Sequence, residues 1–288
     1  MVMAAENSVI FDRRLLRARL ARAAALGPST FLIDRVAEDL ADRLAAVRRH
    51  FDRGLDLDAP THAVRRMLAE SGKVGTVLTV AADPETLPFR DRSLDLVVSA
   101  LGMQFVNDLP GALIQIRRAL RPDGLFLGAL IGGDTLAELR QSFAVAGSEV
   151  EQGISPRVAP FADVRDLGGV LQRAGFALPV ADVDRLTVRY ADPLALMHDL
   201  RRMGATNVLV ERSRRPLRRS TLVRMMEVYS SRFADPDGRI RATFEIVWLS
   251  AWAPHESQQK PLRPGSAQRR LADALGTEEI SVEQKPRH

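Results

Sequence analysis

Apolar positions recur along this chain in two rhythms, and where the rhythm changes an element ends. Helical spacing comes first. In "DRRLLRARLARAAAL" leucines and arginines share the turns behind Asp12, a residue suited to an N-cap. Gly27-Pro28 stops that segment. Ser29 or Thr30 can cap a second helix, in which Ile33, Val36, Leu40, Leu44 and Val47 fall on one face. The rhythm then shortens. "GLDL" (54–57) reads as a strand and "THAVRRMLAE" as a helix ending at Gly72. "VGTVLTVAA" is strand-like, and "SLDLVVSAL" is apolar on both faces, as a strand inside a parallel sheet must be. "NDLPGALIQIRRAL" is a helix that Asn107 or Asp108 can cap, with Pro110 in its first turn and Leu113, Ile116 and Leu120 inward. "RPDG" is turn chemistry, and "GLFLGALI" is the next buried strand.

Further on, "GGDTLAELRQSFAVA" carries the spacing Thr135-x-x-Glu138 of a capping box. "FADVRDLGGVLQRAGF" places Gly175 where a helix ends. "ADVDRLTVRY" alternates like a strand, with Val183, Leu186 and Val188 as its expected buried face. "DPLALMHDLRRMG" and "PLRRSTLVRMMEVYSSRF" are helical, and "RIRATFEIVWLSAW" is a late strand. Strands alternating with helices mean an α/β fold with a mostly parallel sheet. The expected organisation is a helical lead-in over 1–50, a sheet domain over 51–252 with a helical insertion at about 190–235, and a poorly ordered tail over 253–288.

Composition narrows the function. The 288 residues are 46% hydrophobic and 27% charged, ordinary for a globular protein. No apolar run approaches the ~20 residues of a membrane span, and the N-terminus does not read as a secretory signal. The absence of cysteine excludes disulfides, thiol nucleophiles and thiolate metal sites, and fits a cytoplasmic protein. The net charge of +5 comes from arginines clustered at Arg13 to Arg22 and Arg212 to Arg219. These are solvated helix faces, or contacts for an acidic partner or the inner face of a membrane. No aromatic residues interleave them as stacking platforms, so nucleic acid is set aside. The five histidines are scattered and suggest no metal site. No G-x-S-x-G elbow supports a serine hydrolase.

The stretch "AADPETLPFRDRSLDLVVSALGMQFVNDLPGALIQIRRALRPDG" resembles the class I S-adenosylmethionine (SAM) methyltransferases, through "LPF", "DLV" and "PDG" at their family spacing. Further words narrow the likeness: "FDR" at 11–13, "FVNDLP" at 105–110, "GGDTLAELR" at 132–140, "SPRVAPF" at 155–161, "DLGGVLQRAGF" at 166–176 and "HESQ" at 255–258. With these the chain is similar to the mitochondrial complex I assembly factor family, which hydroxylates an arginine, and its bacterial relatives. It is more distantly similar to the malonyl-carrier O-methyltransferase of biotin synthesis. The resemblance implies a Rossmann-like sheet with SAM across the carboxyl ends of the first strands, which is where open α/β sheets bind ligands. It implies a protein substrate or respiratory-complex subunit as partner. Carried over position by position, it implies cofactor contacts from Asp56, Leu57, Asp58 and Ala59, from Asp83 and Pro84 near the adenine, and from Ser99, Ala100 and Leu101 facing the cleft. It names no catalytic base.

Two departures stand out. Where the family has a glycine-rich turn, this chain reads Asp58-Ala59-Pro60-Thr61-His62. Glycine lets a backbone turn at positive φ and approach a ligand. Proline removes a donor, and Asp58 sets a carboxylate near the place of the methionine carboxylate. The stretch between Asp58 and Asp83 also accommodates only one helix and one strand. A strand, a helix and the acid expected for the ribose ~20 residues past the loop are missing, so the fold is shortened around its second and third strands. Gln104 and Phe105 replace a His-Trp pair common in the family. Three functions remain open at this stage: SAM-dependent methylation or hydroxylation of a protein arginine, a non-catalytic assembly scaffold with a degenerate SAM site, or, as a third reading, a peripheral membrane binder using the Arg13 to Arg22 helix.

Overall fold

The computed structural model describes residues 9–80, 83–151, 153 and 155–259. Its helices are α1 (Arg13–Ala25), α2 (Phe31–Ala46), α3 (Ala63–Glu70), α4 (Leu109–Ala119), α5 (Ala137–Val150), α6 (Val164–Arg173), α7 (Pro193–Arg202) and α8 (Arg219–Phe233). Its strands are β1 (Phe51–Leu57), β2 (Val74–Val80), β3 (Leu94–Ala100), β4 (Leu120–Ile131), β5 (Ala177–Tyr190) and β6 (Ile240–Trp252). They form one sheet in the order β2-β1-β3-β4-β6-β5. The first four strands are parallel, and β6 runs antiparallel to both β4 and β5. The shortening read from the sequence is therefore real in the fold. β2 pairs directly with β1, from Phe51↔Val74 to Leu57↔Val80.

Helices cover both faces. Leu96, Val98 and Ala100 of β3 pack with α2, α3, α5 and α8 on one side. Val97, with Leu55 and Leu57 of β1, packs with α4 and α6 on the other. That division is the period-two alternation of a strand, and it explains why every residue of β3 is buried. Caps behave as their side chains suggest. Asp12 accepts from Leu15 N–H at 2.9 Å and Asp108 from Gly111 N–H at 2.9 Å. Gly175, at φ 81°, follows the last turn of α6. Thr30 stands at the N-cap of α2 without a side-chain cap bond.

Several expectations need correction. The capping box at Thr135 and Glu138 does not form. α5 starts after Leu136, whose φ is 56°, and no side chain caps it. Thr135 is instead buried and exchanges bonds with β6, donating to Glu245 O at 3.2 Å and accepting from Glu245 N–H at 2.8 Å. Glu138 reaches Thr243, with Oγ1 donating at 2.5 Å. Strand pairing to β6 outcompetes the local cap. "RPDG" is not a free turn but lies inside β4, where the pairing jumps from Leu94↔Leu120 to Leu96↔Leu125 and Asp123 takes φ 62°. The first strand begins at Phe51, three residues before the expected Gly54. Val183 is 48% exposed while Leu186 and Val188 are half-buried. Residues an odd number apart cannot share a strand face.

The segment His255–His288 forms a unit of its own. In its described part, His255 N–H donates to Gln258 Oε1 at 3.1 Å. Most of the tail expected to be poorly ordered lies outside the described residues.

The pairing of Thr135 with β6 makes a prediction. Thr135→Val keeps the shape but leaves the Glu245 N–H without its acceptor, while Gly132 N–H still donates to the Glu245 C=O at 2.8 Å, so unfolding in urea should show a loss of about 1–3 kcal/mol. An unchanged midpoint would mean these bonds contribute nothing.

Candidate active site

The carboxyl ends of β1 and β3 and the loops that follow them meet the N-terminal helices around one cavity of about 660 Å³. This is within the range of small-molecule sites. Asp58, Ala59, Pro60 and Thr61 from the loop after β1 form part of its wall, with Leu101, Gly102, Gln104 and Phe105 after β3. α1 adds Leu16, Arg19 and Leu20.

The loop after β1 turns without glycine. Asp58 takes φ 56° itself, a conformation that aspartate tolerates better than most residues. The glycine is supplied by the facing loop. A Cβ on Gly102 would stand 2.5 Å from the Asp58 carbonyl oxygen. His62 is exposed at the N-terminus of α3 and caps nothing through its side chain.

Asp56 lies 1% exposed near the end of β1, and its Oδ1 has no hydrogen-bond partner. It therefore does not hold the loop through that oxygen. Burial, then Asp58, pushes its carboxyl up to about 6, against the pull of Arg65. Asp58 is likewise pushed up to about 6, chiefly by burial, with Arg13 lowering it and Asp83 raising it. Ser99 is fully buried, and its Oγ is also without a partner.

Asp83 is engaged from the N-terminal side. Its carboxylate accepts from Arg13 Nη2 at 3.0 Å and from Glu85 N–H at 3.1 Å. Arg13 Nη1 also donates to Phe105 O at 3.3 Å. Asn107 holds the chain just before α1, accepting from Ile10 and Phe11 N–H at 2.9 and 2.8 Å. Phe105 packs edge-on against Phe11 and Phe161.

Of the sequence-derived site residues, Asp58, Ala59 and Leu101 reach the cavity wall. Leu57 and Ala100 are buried in the strands behind it, and Pro84 is buried beside Asp83. Sequence reasoning placed Gly102 only within the cleft-facing stretch 99–103, saw Arg13 and Arg19 only as members of a basic cluster, and gave no role in a cofactor site to Phe161. The word "FDR" pointed at Arg13. The spacing of Leu16, Leu20 and Ala23 on α1 could have shown that this helix closes over something. Among the described residues no three metal-binding side chains converge, and no helix is long and apolar enough to cross a membrane.

A family described as "Methyltransferase domain" matches residues 35–128. The chain is 37% identical to "Arginine-hydroxylase NDUFAF5, mitochondrial" of Danio rerio, over 92% of this chain and 89% of that protein. The Homo sapiens protein of the same name is 39% identical, over 90% of this chain and 81% of that one. The chain belongs to the NDUFAF5 family. It is also 35% identical to "Malonyl-[acyl-carrier protein] O-methyltransferase" of Halorhodospira halophila, over 84% of this chain and 88% of that protein. A Bacillus halodurans C-125 crystal structure carrying a methyltransferase assignment superposes with a TM-score of 0.51 at 15% identity, covering 75% of this chain and 98% of that one. The fold is therefore the Rossmann-like fold of SAM methyltransferases. The expectation of a cytoplasmic protein is overturned, because the NDUFAF5 relatives are named as mitochondrial.

The paired carboxyls give a pH prediction. A folded-state pKa above the unfolded value means the native chain holds extra protons between about pH 4 and 6. Stability is therefore lost as pH rises through that window. Asp58→Asn should stabilise the protein at pH 7 by on the order of 1 kcal/mol and have little effect at pH 3.5. Urea unfolding at the two pH values checks this, and equal effects at both would contradict the shift.

Proposed function

We propose that the cavity at the ends of β1 and β3 binds SAM, and that the protein acts there on an arginine of a protein substrate. Hydroxylation, the activity in the name of its NDUFAF5 relatives, is the favoured outcome, with a respiratory complex I subunit as the partner that the family resemblance implies. Hydroxylation is a two-electron oxidation, so dioxygen and a reductant must be present as co-substrates, one oxygen atom going to the arginine and the other leaving as water. The observation that carries the reading is the cavity itself. It sits at the ligand position of an open α/β sheet, with unpartnered polar atoms on buried Asp56 and Ser99 in the strands behind it. Those features fit the cofactor. The fit is poorer at the ribose, since the first acid after β2 is Asp83, already held by Arg13.

Asp58, Ala59 and Leu101, on the cavity wall, are the proposed direct cofactor contacts, while Asp56, Leu57, Ser99 and Ala100, buried in the strands behind them, and Asp83 and Pro84, off the wall, are proposed to support them. Bound SAM would supply a sulfonium carrying a transferable methyl group. This chain's own residues supply position and charge. Asp58 presents to the cavity a carboxylate with no hydrogen bond or ion pair of its own among the described residues. Such a group suits a guanidinium or another cation. Apolar walls at Leu16, Leu101 and Phe161 exclude water and strengthen that attraction.

Calorimetric titration with SAM is the first test, with saturable binding expected. Asp58→Gly should tighten binding by about ten-fold if the loop carboxylate opposes the methionine carboxylate. Incubation with complex I subunits, read by intact mass, then separates the reactions: one added oxygen is hydroxylation and one added methylene is methylation. A folded protein that binds no SAM at millimolar ligand, and still captures a subunit, would replace this reading with the assembly scaffold.

A further inference from the structure

The α1 side of the cavity carries a charge arrangement that cofactor binding at the strand ends does not use. Arg19 lies on the cavity wall, and Arg22 follows it three residues along α1, on the same helix face. Nε of Arg19, and Nε and Nη2 of Arg22, are buried with no hydrogen-bond partner. Neither side chain makes an ion pair among the described residues. Their surroundings add more positive charge. Burial, then Arg22, Arg212 and Arg201, holds the Arg19 guanidinium below the usual arginine range.

The acid that joins this group is already committed. Asp12 caps α1 through Leu15 N–H at 2.9 Å and meets Arg212 Nη2 at 3.4 Å. Arg212 spends Nη1 on Leu209 O at 2.7 Å. The other arginine on the cavity wall, Arg157, is paired with Glu151 at 3.1 Å. Among the described residues Arg19 is thus the wall guanidinium left without an acceptor.

A guanidinium cannot shed its proton in a protein. Neither arginine is fully buried, but an oxyanion would offset the like charges that surround Arg19 through a charge-assisted pair. An arginine presents a planar fork of N–H donors that matches a carboxylate or phosphate.

We propose that Arg19, on the α1 wall of the cavity, forms an oxyanion site with added charge from Arg22 one turn along the helix, suited to a carboxylate or phosphate group. The site stands independently of SAM binding. Its ligand is a free oxyanion or the anionic end of a larger molecule occupying the cavity.

Inorganic phosphate is the probe, compared with chloride at matched ionic strength in thermal unfolding of the full chain. Phosphate should raise the wild-type midpoint saturably. Arg19→Gln and Arg22→Gln should each weaken the apparent phosphate affinity by about ten-fold, while Arg17→Gln, on the exposed face of α1, should leave it intact. Arg19→Lys keeps the charge but loses the fork, so it should fall between wild type and Arg19→Gln. In chloride alone Arg19→Gln should melt higher than wild type, since it relieves the repulsion, and this shows that the variant folds. Competition assigns the source. If phosphate and SAM exclude one another, the site takes the carboxylate of the cavity ligand. If they bind together, it takes a separate oxyanion. No phosphate effect beyond chloride, or an equal loss in Arg17→Gln, overturns the proposal. A phosphate site in a protein that binds no SAM would overturn the functional reading and leave this one standing.

Discussion

The direct pairing of β2 with β1 is the constraint on which the site depends. Seven residues on each strand run in register with no strand between them. The contact is tight because glycines stand where side chains would collide. A Cβ on Gly54 would lie 2.8 Å from Val74 Cγ1, and one on Gly75 would lie 3.0 Å from Asp52 O. β2 is thereby the sheet's edge, half-buried where an interior strand would be fully covered. The loop it feeds opens beside the loop of β1, close enough for the Asp83 and Asp58 charges to act on each other.

That closeness creates an electrostatic problem which the N-terminal segment answers. Asp56 and Asp58 crowd the end of β1 in a partly desolvated place, where the Asp58 charge raises the pKa of Asp56 and the Asp83 charge raises that of Asp58. Arg13 counters them, bonding Asp83 directly and lowering Asp58 through space. It can do so because Asn107 grips the backbone at Ile10 and Phe11, and Phe11 packs on Phe105. The helical lead-in is therefore part of the site. It supplies both the balancing cation and one wall of the cavity.

The architecture was legible because it is written in periodicity. The doubly buried β3, the capped α1 and α4 and the glycine stop of α6 each follow from a local rule that tertiary structure did not override. The shortening was legible too, since too few residues separate Asp58 from Asp83 for two strand–helix units. What stayed hidden depends on partners distant in sequence. Thr135 and Glu138 satisfy every local condition for a capping box, yet both bond to β6, more than a hundred residues away. Gly102 showed no sign of its role, because the atom it must avoid belongs to Asp58. Arg19 looked like one arginine among many, and only the fold shows that it lines a cavity without an acceptor.

The two walls of the cavity differ in sign, and they differ in origin. The acidic side comes from the sheet, through Asp58 at the end of β1. The cationic side comes from α1, through Arg19. Sheet topology fixes the place of the first, because any chain of this fold has a loop there, while its charge comes from Asp58, where the family has a glycine. It does not fix the second, which requires a helix ahead of β1 whose seat rests on Asn107 and Asp83. A dipolar cavity discriminates by orientation, since a ligand bearing both charges can lie in it only one way round without leaving a charge against its like. Under the proposed binding at this cavity, selectivity is located where the common fold meets the N-terminal helix, and changes in α1 should alter what the cavity accepts without disturbing the sheet that frames it.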